Sequence, residues 1–304
     1  MKTIRPFFLF LALIGCANTP NVHSETSTPP AGLQEVRTPA IPAKLDFAGE
    51  PVPMEYFDVK EAFTRELSII CYWHASTMYV KKLANRFFPI IEPILQREGV
   101  PDDFKYLCVA ESGLQQVISP AKATGFWQFM EQTGKEFGLE INSEVDERYH
   151  IEKATVAACA YLKKAYEKYG SWTLAAAVYN AGNGSIDKQI GRQKQFSYYD
   201  LLLTEETARY IFRVLAFKTV LSNLEFYGFF IQNEELFPPL SWTEVSINGA
   251  VESWADFAEK HGTNYKMLKY FNPWMRDAAL VNKAKKTYIV KIPTPGFRSN
   301  AADL

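Results

Sequence analysis

From Val59 to Tyr227 the apolar positions return with the 3.6-residue period of α-helices, and no strand-like alternation competes with it. Phe63, Leu67, Ile70 and Cys71 mark one helix, and Tyr79, Val80, Leu83, Phe87 and Phe88 mark another. Pro89 and Pro93 are expected to interrupt the second, because proline removes a donor and crowds the preceding turn, before Ile90, Ile94 and Leu95 resume the pattern. Residues Glu152 to Tyr169 form a long Ala-rich helix with Val156, Cys159, Ala160 and Leu162 facing inward. Trp172 to Asn180 is almost entirely small or apolar and predicts a buried helix. Gly182-Asn-Gly184 reads as a turn, and Thr204 to Leu221 is again amphipathic. The pattern predicts an all-α domain over residues 55–235.

After Phe237-Pro-Pro the character changes. Trp242–Ile247 alternates like a strand, Trp254, Phe257 and Ala258 stand at helical spacing, as do Met267, Leu268 and Phe271, and Thr287–Ile292 alternates again. These segments predict a β-α-α-β unit over residues 240–295, small enough to pack one sheet face on two helices. The fold class is therefore mainly α with a small mixed module at its C-terminal side.

One polar residue breaks the apolar pattern in a way that bears on chemistry. Gly99 ends a helix, and Pro101 with Asp102 and Asp103 suits the first turn of the next. Phe104, Leu107, Cys108 and Glu111 then fall at i, i+3, i+4 and i+7, on one face. Three are apolar, so the carboxylate points at the same interior. There desolvation raises its pKa and equips it as a general acid. The alternative from this helix alone is a frayed end with Glu111 in water.

Composition adds an address. The start is Met1-Lys-Thr-Ile-Arg5, an apolar run from Pro6 to Ile14, then Gly15-Cys16, the layout of a secretory signal over residues 1–15. The run is shorter than the ~20 residues of a membrane-spanning helix. Leu13-Ile14-Gly15-Cys16 resembles a bacterial lipobox. The resemblance implies cleavage before Cys16, acylation of that residue, and a protein anchored in the cell envelope, in the outer membrane facing the periplasm. Residues 16–54, rich in Pro, Thr, Ser and Asn, read as a disordered tether. The net charge of −1 becomes −3 once Lys2 and Arg5 are removed, and nothing suggests a nucleic-acid partner; a monomer is expected. Cys71, Cys108 and Cys159 lie in apolar helical stretches and read as buried small hydrophobes, with one disulfide left open. His23, His74, His150 and His261 lie far apart, and no Cys-x-x-Cys, His-Glu-x-x-His, Walker or Rossmann pattern occurs. No metal and no cofactor are expected.

The segments C-terminal to Glu111 supply a family likeness. Glu111-Ser112, then Gly125-Phe-Trp-Gln128, then Val178-Tyr179-Asn180-Ala-Gly182, then Glu206-Thr-Ala-Arg-Tyr210 form an ordered set. Together they resemble the catalytic domain of lytic transglycosylases with a soluble-transglycosylase-type, lysozyme-like fold, over about residues 55–235. Phe126-Trp127 and Val178 depart from the commoner Leu-Met and Ala, while the polar residues are kept. The likeness implies that Glu111 is acid and then base, and that Ser112 hydrogen-bonds near the reacting sugar. It implies that Gln128, Tyr179 and Asn180 orient substrate and that Tyr210 closes the site. Phe126 and Trp127 are groove wall or core. Val245 to Pro293 resembles a degenerate lysin motif, with Gly249-Ala-Val-Glu252 in place of Gly-Asp-Thr. That module would hold glycan, or merely pack on the catalytic domain.

Retaining and inverting glycosidases pair two acids. Only one stands on an inward face here, and Glu131, Glu136, Asp146 and Glu152 read as solvated. The family chemistry implies a single-acid route on peptidoglycan. The N-acetyl carbonyl of N-acetylmuramic acid attacks C1, and the C6 hydroxyl then closes a 1,6-anhydro ring. The alternatives are a hydrolytic muramidase of the same fold and a non-catalytic wall-binding lipoprotein.

Overall fold

The computed structural model describes residues 36–296 and 298, so the signal segment, Cys16 and the first part of the tether lie outside the described residues. The chain enters through a short hairpin of β1 (Asp46–Phe47) and β2 (Glu50–Pro51). Residues up to 54 were expected to be tether. Instead Phe47 is fully buried, edge-on to Phe104 at 5.2 Å, and Val52 is buried with it. The polar composition hid one aromatic anchor and a turn with positive φ at Ala48 and Gly49.

Ten helices succeed the hairpin among the described residues. α1 (Phe57–Tyr72) buries Val59, Phe63, Leu67 and Ile70, the 3.6-period face read from the sequence. α2 (His74–Glu98) continues through Pro89 and Pro93 without a break, contrary to expectation. Both prolines lie four residues apart on the outer side of the helix, so the hydrogen bonds they forfeit lie toward solvent, where water serves the freed carbonyls. Ile91, Ile94 and Leu95 bury the opposite face. α3 (Phe104–Ser112) carries Glu111 and begins later than the sequence suggested. Pro101–Asp103 form the turn before it, and the Asp103 carboxylate turns away to accept from Ala48 N at 2.6 Å and Lys218 Nζ at 2.7 Å.

α4 (Glu131–Glu136) is one short turn, and α5 (Ile151–Tyr169) is the long Ala-rich helix. Its buried face is Ala154, Ala157, Ala158, Cys159, Leu162 and Ala165. Val156 and Ala160, assigned inward, are exposed, because alanine on every side leaves the apolar stripe weakly defined. α6 (Trp172–Ala181) is buried from Thr173 to Val178. Its N-terminus is capped by Ser171, and the Glu50 carboxylate accepts from Trp172 N (2.5 Å), Thr173 N (2.9 Å) and Thr173 Oγ1 (2.6 Å). A negative group there meets the free N–H groups and the positive end of the helix. α7 (Asn183–Gln193) starts at the Asn-Gly pair read as a turn; Ile186 is its one buried residue. α8 (Glu205–Ser222) packs along α1, α3 and α6 with Tyr210, Ile211, Val214, Leu215 and Val220 buried.

The C-terminal module matches its sequence reading: β3 (Trp242–Ile247), α9 (Trp254–Lys260), α10 (Tyr265–Phe271) and β4 (Tyr288–Pro293). β3 and β4 pair antiparallel from Trp242↔Pro293 to Ile247↔Tyr288. Ser253 and Asn264 cap the two helices through their side chains. Trp254, Ala258, Leu268, Val290 and Ile292 form a second core. Cys71, Cys108 and Cys159 are buried and unpaired with one another.

Candidate active site

Glu111 sits in the last turn of α3, which Gly113 stops in the left-handed conformation at φ 59°. Cys108, Leu107 and Phe104 are buried on the same face, so the carboxyl stands against apolar walls. Burial pushes its pKa up to about 7. A hydrogen bond from Tyr210 and the nearby Arg213 charge pull it down less than burial raises it, and Glu206 adds a small upward push. Tyr210, fully buried on α8, donates its hydroxyl to Glu111 Oε1. No other hydrogen bond to this carboxyl is made among the described residues. The proton of the acid form is therefore left on Oε2, free to meet a substrate oxygen.

α6 brings the next residues. The Tyr179 hydroxyl donates to Trp127 O at 2.7 Å, and burial, then the Glu111 charge, raises its pKa well above the usual phenol. Asn180 Oδ1 accepts from Thr207 Oγ1 at 3.0 Å, which leaves its amide donors uncommitted. Thus Tyr210 faces Glu111 directly, whereas the one bond that Tyr179 donates holds a loop.

That loop is Lys122–Phe129. Ser112 is buried, and its hydroxyl donates to Phe126 O at 2.8 Å and Cys108 O at 3.3 Å. In this geometry Ser112 ties the loop to α3 rather than offering a proton to a sugar. Gln128 has φ 48° and spends Nε2 on Gly125 O (2.7 Å) and Val117 O (3.1 Å), leaving its carbonyl oxygen available. Trp127 is fully buried with Nε1 on Thr155 Oγ1 (2.9 Å), and Phe126 is buried edge-on to Phe87; both are core. Gly125 has φ +80°, and a Cβ there would lie 2.1 Å from Arg148 O, so only glycine fits.

Several charged groups are placed differently from their sequence reading. Asp146 and Glu152 are not solvated. Asp146 is buried against Arg148, with Oδ2 2.7 Å from Nη2. Burial pushes Glu152 up, but His150, whose Nδ1 lies 3.1 Å from Oε2, and Lys291, which donates to Oε1, outweigh it and hold its pKa at about 2. Glu66, which the sequence reading passed over, is 1% exposed on α1 and accepts from Arg209 Nε at 2.7 Å, with Arg213 Nε 3.7 Å away. Arg213 also meets Glu206 at 2.9 and 3.3 Å. A lone Glu on an apolar stripe, with two arginines four apart on a later helix, is the sequence signal for this cluster. Every buried acid other than Glu111 among these is thus committed to a cation. No cluster of three or more potential metal ligands occurs among the described residues.

Residues 88–202 match the transglycosylase SLT domain family, and residues 243–296 match the soluble lytic transglycosylase C-terminal LysM-like domain family. Over 192 residues the chain is 28% identical to membrane-bound lytic murein transglycosylase D of Escherichia coli strain K12, and equally to that of Escherichia coli O6:H1 strain CFT073. The alignment covers 61% of this chain and 42% of each relative, so the chain spans less than half the length of the curated relatives it matches.

Proposed function

We propose that this chain, which carries a transglycosylase SLT domain followed by a LysM-like domain, is a peptidoglycan lytic transglycosylase with Glu111 as its one catalytic carboxyl. The observation that carries the reading is the state of Glu111: an acid raised to about 7 by burial and bonded, among the described residues, by Tyr210 only, while Glu66, Asp146 and Glu152 are each paired with a cation elsewhere. An acid poised there is protonated often enough to donate and basic enough to take the proton back.

The chemistry runs at the bond between N-acetylmuramic acid and N-acetylglucosamine. Glu111 Oε2 gives its proton to the leaving glycosidic oxygen as the C1–O bond breaks. The substrate's own N-acetyl carbonyl oxygen bonds to C1, forming an oxazolinium. The C6 hydroxyl then attacks C1, breaking its bond to the carbonyl oxygen so that the oxazolinium opens back to the N-acetyl group, and its proton passes to Glu111, which restores the acid and leaves a 1,6-anhydro end. An intramolecular hydroxyl has a large effective-molarity advantage over water. Tyr210 holds Oε1 so that Oε2 faces the groove. Asn180, through its free amide donors, and Gln128, through its carbonyl, orient the sugar. Ser112 and Tyr179 fix the loop that carries Gln128.

The product is the test. Mass spectrometry of digested peptidoglycan gives anhydro-muramoyl ends on this reading, whereas reducing ends identify a hydrolytic muramidase. Glu111→Gln abolishes clearing of a wall suspension while sacculus binding persists; equal clearing by both proteins refutes the assignment.

The same reading places the enzyme in the envelope, tethered through acylated Cys16 and acting in wall remodelling. The name of the relatives supports membrane attachment. No helix among the described residues is long and apolar enough to cross a membrane. Cys16→Ala would then release the protein from the membrane fraction.

A further inference from the structure

The C-terminal module is joined to the catalytic body by main-chain bonds. Asp146 N donates to Trp274 O (2.9 Å), Arg276 N donates to Glu144 O (2.8 Å), and Val145 bridges Met275. The Glu144 carboxylate accepts Val281 N at 2.8 Å, and the Arg276 guanidinium lies 4.1 Å over the Tyr149 ring. Val145 and Tyr149 belong by packing to the module's core, not to the core of the helices around them.

The same strip of chain grips the catalytic loop. Asp146 accepts Arg148 Nε (3.0 Å) and Nη2 (2.7 Å), which aims the remaining arm of the guanidinium. Nη1 then donates to Lys122 O (3.3 Å) and Phe129 O (3.2 Å), the two ends of the loop. Arg148 O presses on Gly125, leaving no room for a Cβ. The middle of that loop is where Ser112 and Tyr179 attach, and Gln128 is part of it.

We propose that the LysM-like module has a second function besides holding glycan: it braces the active site, with Asp146 and Arg148 as positioning residues that pass its docking to the Gly125–Gln128 loop. Binding a wall polymer needs only a module on a leash. Backbone pairing into residues 144–146, backed by the buried ion pair between Asp146 and Arg148, is the construction of a support. The inference rests on the lytic transglycosylase reading, since the loop matters only if Glu111 works beside it.

The test uses the full chain on two substrates: intact sacculi, which engage a wall-binding module, and a soluble peptidoglycan tetrasaccharide, which has no need of one. The double variant Glu144→Ala with Arg276→Ala loosens the docking without touching the loop. On the tetrasaccharide kcat is expected to fall about tenfold with KM unchanged, as for a misplaced site. Sacculus pull-down stays at the parental level. Arg148→Met repeats the kcat loss and Arg148→Lys restores part of it; if Arg148→Met loses its cooperative melt, the docking variant decides alone. A docking variant with kcat on the tetrasaccharide within about twofold of the parent, or with KM alone changed, overturns the brace. A parent that binds sacculi yet releases no product from either substrate overturns the catalytic reading itself, and the brace with it.

Discussion

The hydroxyl of Tyr210 on α8 donates to Oε1 of Glu111 on α3, a bond between two helices whose residues lie 99 positions apart. It opposes burial: the apolar wall raises the carboxyl and the phenol lowers it. The candidate acid must start protonated, so cleavage declines as pH rises through about 7. Tyr210→Phe removes the lowering influence. The alkaline limb of the pH–rate profile is then expected to move upward, while the rate on the acid side of it falls about tenfold from lost orientation. A steady-state profile on solubilised glycan checks both directions.

The same raised pKa bears on stability. Glu111 binds its proton more tightly folded, at about 7, than unfolded, near 4.5. Below 4.5 both states are protonated and nothing is lost. Between 4.5 and about 7 folding grows costlier, and above that the cost is complete. Glu111→Gln is therefore expected to stabilise the fold at pH 8, on the order of 1–2 kcal/mol once solvent screening of this partly exposed carboxyl is discounted, and to match the parent at pH 4. Thermal melts at the two pH values check it.

Gly125→Ala drives a Cβ to 2.1 Å from Arg148 O at φ +80°. The loop must shift or the chain must strain, at a cost of about 3 kcal/mol or more. The midpoint of urea unfolding reads the loss, and cleavage activity falls with it because Gln128 moves.

Glu66→Gln leaves the Arg209 and Arg213 guanidinium groups facing an uncharged amide in the α1–α8 contact. Both arginines are partly exposed and keep Glu205 and Glu206, so what is lost is one charge-assisted bond, about 1–3 kcal/mol. Replacing Glu66 and Arg209 together by methionine is expected to recover most of it, because two apolar groups leave no unpaired charge. Denaturant melts of the single and double variants separate the two cases.

Periodicity made α1 and α8 legible and, short of its prolines, α2, while α5 and α6 were read as helices from their run of small and apolar residues without a sharp stripe. It failed where burial is thin. α7 has only Ile186 inside and begins at Asn-Gly, and the β1–β2 segment sinks only Phe47 and Val52 from a Pro-rich stretch. At the candidate site, the helix bearing Glu111 left its carboxyl either inward or frayed into water, and its choice as the acid, with Gln128, Tyr179, Asn180 and Tyr210, came with the family likeness. Which partner each takes was not legible, since the bonds of Tyr179 to Trp127 O and Ser112 to Phe126 O depend on how distant segments meet. Glu152 was misread for the same reason, since only tertiary packing brings Lys291 to it, whereas Asp146 has its partner Arg148 two residues on and was missed because a carboxylate is solvated by default.

The β1–β2 hairpin touches three site helices at once. Glu50 caps α6, Ala48 N bonds Asp103 just before α3, and Lys218 of α8 clasps both Asp46 and Asp103. Tension on the N-terminal segment first meets Ala40, whose carbonyl accepts from Tyr227, and Ile41 on the core, and then the hairpin at the helices that carry Tyr179, Glu111 and Tyr210. It meets bonds at several points together, with Phe47 as a plug that must be drawn from the core before the chain can peel. A domain leashed at this end would resist a pull by shear, and once the Ala40 contact gives way the load falls on the helices that hold the acid.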